Sequence, residues 1–282
     1  MELAVGCKLR YTLENATGFA LLVEVAKSEG QMVSDEALVI PGGESNSTYS
    51  VFTNPLTRNR VVRTVIGPGP AEIHYEARVN LDSKPVDPSL VREFDFLELP
   101  MENLEYLAPS RYCASDTFTN FAFQTFGGMQ RGHDRVTAIC DWIHSHIRYQ
   151  PGSTGPNSSS AEVFEKGEGV CRDFAHLGIS LCRALGIPAR YVSAYAHALS
   201  PQDFHAVFQA FLNGPNGGAW YSFDASHMSS VDAIARIAAG RDAADVAFAW
   251  PQGEVIYDPP VVWVNSHSRV APVRTAAAIG HP

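Results

Sequence analysis

The stretch Gly167-Glu168-Gly169-Val170-Cys171-Arg172-Asp173-Phe174-Ala175-His176-Leu177, running on to Tyr195, decides how this chain is read. Gly167 and Gly169 break any preceding helix, and from Cys171 onward Phe174, Leu177, Leu181 and Leu185 recur at three- and four-residue steps, the period of one helix face. Gly186 and Pro188 stop that helix. One cysteine thus opens an amphipathic helix. There the unpaired backbone N–H groups and the positive end of the dipole favour thiolate over thiol and can donate to an oxyanion. Out of that context Cys171 is a small buried hydrophobe. Cys182, on the same helix, reads as core. His176, five residues on, is turned well away from Cys171 and reads as a hydrogen-bonded structural residue.

A thiolate nucleophile needs a base, and the base needs an orienter. The segment Asp203 to Leu212 alternates as a strand, with His205, Val207, Gln209 and Phe211 on one face and Phe204, Ala206, Phe208, Ala210 and Leu212 on the other. Asn213-Gly214-Pro215-Asn216-Gly217-Gly218 turns the chain into Trp220-Tyr221-Ser222-Phe223 and then Asp224. A hairpin pairing Leu212 with Gly217 predicts His205 directly opposite Asp224, and a loop longer by a residue or two makes the pair diagonal; in either case Asp224 would accept from the imidazole and fix its tautomer. The expected constellation is Cys171, His205 and Asp224.

The motifs GEGVCRDFAHL (167–177), LCRALGIPARYVSAY (181–195), DFHA (203–206) and FDAS (223–226) resemble the bacterial branch of the transglutaminase-like superfamily. The resemblance extends to residues 109–113, 159–164 and 240–246, roughly half the chain. The amino-terminal third resembles, less sharply, the β-rich domain that precedes the catalytic domain in such proteins. The resemblance implies an α+β, papain-like core, with a central helix packed on an antiparallel sheet and preceded by a β-sandwich. Members include transglutaminases, cysteine proteases, amidases and catalytically dead copies. This chain departs from the pattern after the histidine, with Val207 and Gln209 where many relatives carry tryptophan and glutamate.

The chain has 282 residues and 45% apolar content, enough for two modest cores, and divides as a β-rich domain (1–98), a transglutaminase-like catalytic domain (99–268) and a tail (269–282). Strands are expected at 8–13, 20–26, 61–66 and 71–79, a two-proline linker at 81–88, and the start of the second domain at 101–107. A long helix is expected over 134–147, with Asp134 as N-cap and Val136, Ile139, Cys140, Ile143 and Ile147 as its buried stripe.

A formal net charge of −9 argues against an electrostatic grip on nucleic acid or an anionic membrane, and the basic residues cluster only weakly, at Arg58, Arg60 and Arg63. No segment has the length and apolarity of a bilayer span, and residues 1–25 do not read as a signal peptide. Five cysteines, odd in number and without a CxxC pair, predict reduced thiols and a cytoplasmic location. His197, His227 and His267 are too dispersed for a metal site, so neither metal nor cofactor is expected.

The breaker-rich segment 150–157 reads as a loop walling the cleft. Gln150 or Trp142 is a candidate second oxyanion donor, and Trp142 reads equally as core packing. Arg172 and Asp173 sit in the first turn, where an aspartate suits the dipole whether or not it touches substrate. The Arg241-Asp242 and Asp245 cluster either orders a loop through an ion pair or receives a substrate amine. The expected partner is a peptide, protein or small amide; the oligomeric state is not legible. The expected chemistry is acyl transfer from an amide through a thioacyl intermediate, completed by water in a peptidase or amidase. Completion by an amine, as in a transglutaminase, and a non-catalytic module of the same fold are the alternatives.

Overall fold

Alternation in the first strand builds the core of the amino-terminal part. A computed structural model describes residues 1–41, 49–266 and 275–281. In β1 (Glu2–Leu13), Leu3, Val5, Cys7, Leu9, Tyr11 and Leu13 all point to one buried face. The strands β2 (Thr17–Leu21), β3 (Gln31–Val39), β4 (Ser50–Thr53), β5 (Arg60–Ile66), β6 (Gly69–Leu81) and β7 (Pro85–Val86) follow. One sheet runs β1-β6-β3 and a second β2-β5-β4, all antiparallel. Their inner faces share one core, in which the Tyr11 and Phe19 rings lie 4.9 Å apart.

Next come α1 (Thr119–Phe126), α2 (His133–His146), β8 (Arg148–Tyr149), α3 (Ser160–Lys166), β9 (Glu168–Gly169), α4 (Cys171–Ala184), β10 (Ala189–Ala196), β11 (Phe204–Gly214), β12 (Gly217–Phe223) and β13 (Ile234–Gly240). The last strands are β14 (Ala249–Pro251), β15 (Ile256–Tyr257), β16 (Val261–Ser266) and β17 (Ala278–His281). The second large sheet has the order β13-β10-β11-β12-β17-β7. The chain then returns to the sandwich: β15 and β16 pair with β1, and β14 pairs with β2. The architecture is α+β, with a β-sandwich ahead of a helix packed on an antiparallel sheet.

That central helix is α4, buried from Asp173 to Arg183. Phe174, Leu177, Ile179 and Leu181 are each at most 2% exposed, and full burial of such a side chain contributes about 1.5–3 kcal/mol. Gly178 sets its distance from the sheet, since a Cβ there would lie 2.5 Å from Cε1 of Phe208. The helix ends at Gly186, whose φ of +79° is open to a residue without Cβ. Val136, Ile139, Cys140, Ile143 and Ile147 form the expected buried stripe of α2.

Three local expectations are corrected, and two strands appear that the sequence pattern did not show. The second helix begins after Gly132 rather than Asp134, and its start is held by a remote segment: Gly132 N donates to Glu93 Oε1 at 3.0 Å, His133 N donates to Val91 O at 3.0 Å, and Arg135 pairs with the Glu93 side chain. The strand expected at 20–26 leaves its sheet after Leu21, because Leu22 N donates to Phe248 O and Ala26 N to Arg236 O. The strands β3 and β4 have too little buried alternation to show in the pattern. Within the linker, Pro85 and Val86 pair with β17. His267 and part of the 269–282 tail lie outside the described residues.

Candidate active site

Cys171 is half-buried in the first turn of α4. The turn is locked by Asp173, fully buried, whose Oδ2 accepts from Val170 N at 2.9 Å and from Thr154 Oγ1 at 2.5 Å. Its Oδ1 accepts from Arg172 Nη2 at 3.0 Å, and Arg172 also donates to Gly155 O at 2.6 Å. Arg172 and Asp173 therefore tie the 150–157 loop to the helix that presents the thiol.

His205, on β11, is 2% exposed, and its Nε2 lies 2.9 Å from Asp224 Oδ2. The register differs from expectation: Gly214 pairs with Gly217 and Phe208 with Phe223, so the turn contains only Pro215 and Asn216. Asp224, just past β12, then lies diagonal to His205 rather than opposite, still within reach on the same side. Ser226 N and Oγ donate to Asp224 Oδ1 at 2.9 and 2.6 Å, and Ser229 N donates to Oδ2 at 3.0 Å.

Burial opposes a charge on His205, but the charge and hydrogen bond of Asp224, joined by Cys171, outweigh it and carry the imidazole from 6.5 up to about 10. Burial likewise opposes the Asp224 charge, yet His205, Ser226 and Ser229 hold it below the ordinary carboxylate range. The pair is therefore imidazolium and carboxylate at neutral pH. The other ring nitrogen, Nδ1, meets no oxygen or nitrogen partner, and the Cys171 side chain is the remaining group that interacts with the ring.

Tyr149 lies against Cys171 with no motif to single it out. Its hydroxyl meets both the backbone N–H and the side chain of Cys171; burial and then the Cys171 charge push the phenol well up, while the N–H opposes them. The only local signal was a tyrosine entering the breaker-rich loop. Its placement depends on β8 pairing in parallel with β9, with Tyr149 beside Gly169.

The other candidates are placed as follows. Gln150 is exposed, its backbone N donating to Gly169 O and its side chain to Pro151 O at 3.4 Å. Trp142 packs among aromatics, its ring 5.0 Å from Phe121 and 5.7 Å from Phe164. Asp242 is buried and accepts from Tyr112 N and Ala244 N. Arg241 and Asp245 form a two-pronged ion pair at 2.9 and 3.1 Å that closes their loop. His176 is buried between the Tyr112 and Tyr191 rings, accepts from Ala243 N, and is driven down to about 3 by burial, with Arg172 adding to it.

Residues 119–225 match the transglutaminase-like superfamily core. A proposed cysteine protease from Cytophaga hutchinsonii, solved by crystallography, is 32% identical and superimposes with a TM-score of 0.89 over 100% of this chain and 98% of that one. An uncharacterized protein of Mycobacterium leprae is 31% identical over 148 residues, 51% of this chain and 53% of that protein. One from Mycobacterium tuberculosis is 30% identical over 145 residues, 46% of this chain and 42% of its own length. The chain spans about half the length of these two curated relatives. The chain belongs to the transglutaminase-like superfamily.

Proposed function

We propose that this protein is a cysteine-dependent amide hydrolase, a peptidase or amidase, working through Cys171, His205 and Asp224. Family membership and the likeness to the C. hutchinsonii protein support a cysteine-based enzyme. The observation that carries the finer reading is the buried 2.9 Å contact of His205 with Asp224, which leaves Nδ1 as the ring atom able to exchange a proton with the neighbouring Cys171.

In the first half-reaction the Cys171 sulfur bonds to the amide carbonyl carbon, and the proton from the thiol rests on His205. The carbonyl oxygen becomes an oxyanion served by the Cys171 N–H, with the Tyr149 hydroxyl as the second donor once it turns from that N–H to the substrate. Collapse breaks the C–N bond, and His205 gives its proton to the departing amine. Water then attacks the thioester, losing a proton to His205, and releases the carboxylic acid while the thiol is reformed. Asp224 keeps the imidazole oriented and stabilises its charge through both halves. The five cysteines form no disulfide, which fits action in a reducing compartment such as the cytoplasm.

Incubation with a pool of Gln- and Asn-bearing peptides, with and without a primary amine, tests the reading by mass spectrometry. Hydrolytic cleavage or deamidation that vanishes in Cys171→Ala supports it. Amine incorporation in place of hydrolysis would make the protein a transamidase, and no Cys171-dependent product from any peptide would overturn amide hydrolysis.

A further inference from the structure

The catalytic sheet has a second face whose polar groups the proposed chemistry leaves unused. Tyr191 and Phe208 turn toward α4, the first against His176 and the second against Gly178, so their strand neighbours Arg190 and Gln209 project to the opposite side. There a cleft of about 1390 Å³ opens between the sheet and the 54–59 loop of the sandwich. Arg190 and Arg236 both line it, at only 6% and 9% exposed. Cys171, His205 and Asp224 do not.

Neither guanidinium has a carboxylate partner among the described residues. Arg190 donates from Nε to the neutral amide of Gln209 at 2.9 Å and lies over the Trp220 ring at 4.1 Å. Gln209 in turn donates to Ser222 Oγ, so that row ends without a negative charge. Arg236 donates from Nη1 to Thr57 O at 2.8 Å. Burial, reinforced by the nearby Arg236 charge, brings Arg190 down to about 9, and both arginines add to the burial that lowers His281 to about 3. Two buried cations that line one cleft with no carboxylate partner are costly to hold in a folded protein. The carboxylates of this cleft do not relieve them: Glu29, Glu102 and Glu105 are exposed and Asp245 is taken by Arg241.

Beside the arginines stands an aromatic wall. Phe94 and Phe211 stack at 5.3 Å, and Trp220 touches both Phe211 and Tyr106 at 5.2 and 5.0 Å. A guanidinium fork matches the oxygens of a phosphate, and a phosphate monoester carries the near-double negative charge that two arginines call for, where a carboxylate brings one. The cleft is far larger than a phosphate ion alone. We propose that this cleft binds a phosphate monoester with an aromatic or apolar body, the phosphoryl group held by Arg190 and Arg236 and the body laid against Trp220 and Phe211.

Titration calorimetry of the full chain with phenyl phosphate, inorganic phosphate and benzoate tests this. Phenyl phosphate is expected to bind saturably at one site, and about tenfold or more tighter than either of the others. Gln209→Glu keeps the shape of the side chain but gives Arg190 an internal carboxylate. It and Arg236→Gln, each checked for folding by circular dichroism, are expected to weaken phenyl phosphate about tenfold or more. Three results would overturn the proposal: no saturable binding of phenyl phosphate to the unaltered protein, benzoate or inorganic phosphate binding as tightly, or binding unchanged in both folded variants.

Discussion

The behaviour of the site rests on one buried pair. His205 is raised from 6.5 to about 10 in the folded protein, so its interaction with Asp224 contributes stability fully below pH 6.5 and loses it as pH rises toward 10. Asp224 is lowered, so its share is present above the ordinary carboxylate range and is lost as pH falls through its folded value. The expected outcome is a melting temperature that declines between pH 6.5 and 10 in the unaltered protein, and declines less in His205→Gln; equal slopes would deny the raised value. For catalysis, Asp224→Asn is expected to keep the fold and lower kcat by about 10²–10⁴-fold, read by peptide turnover beside circular dichroism. The place of Cys171 at a helix start and the meeting of His205 with Asp224 were legible from local pattern: a cysteine after helix-breaking glycines, a histidine on an alternating strand, and an aspartate ending the return strand of a hairpin. Tyr149 was not, because what brings it to Cys171 is a two-residue parallel pairing between segments about twenty residues apart.

At the scale of elements, α4 carries the site by being locked at both its start and its middle. Asp173 has no local signal beyond suiting a helix dipole, yet it is fully buried and joins Val170 N, Thr154 and the half-buried Arg172. Asp173→Ala is expected to cost about 1–3 kcal/mol by leaving the Val170 N–H and Thr154 hydroxyl without their acceptor. It should also lower turnover by loosening the first turn, both measurable by urea unfolding and peptide kinetics. Gly178→Ala forces its new methyl into Phe208, and a loss of about 1–3 kcal/mol is expected from overpacking; unchanged stability would mean that the helix stands off the sheet. The helix itself was readable from the Phe174, Leu177, Leu181 and Leu185 period. The hairpin register was not, since Asn213 to Gly218 offers several turn positions and only the pairing of Gly214 with Gly217 selects one.

Across the whole molecule, the sandwich and the sheet that packs against α4 are joined by side chains that imitate strands. Gln31 accepts from Arg236 N at 2.8 Å and donates to Arg236 O at 2.9 Å, while Asn59 exchanges the same two bonds with Ala239. These amides satisfy β13, which ends its sheet's strand order: without them the buried Arg236 N–H and both backbone groups of Ala239 would lose these partners, while Arg236 O would keep Ala26 N. Gln31→Ala is expected to cost about 1–3 kcal/mol in urea unfolding, with the change felt by both parts of the chain. This junction could not be read in advance, because a lone glutamine and a lone asparagine carry no periodicity. The return of residues 249–266 to the sandwich was equally hidden, for its strands are short and pair with the opposite end of the chain.

A covalent acyl intermediate on Cys171 would be trapped by acid-quenched intact-mass spectrometry with p-nitrophenyl acetate. The expected result is a single acetyl adduct on Cys171, removable by hydroxylamine, absent in Cys171→Ala and formed more slowly in His205→Ala. An adduct carried by another residue, or formed equally fast without His205, would contradict it.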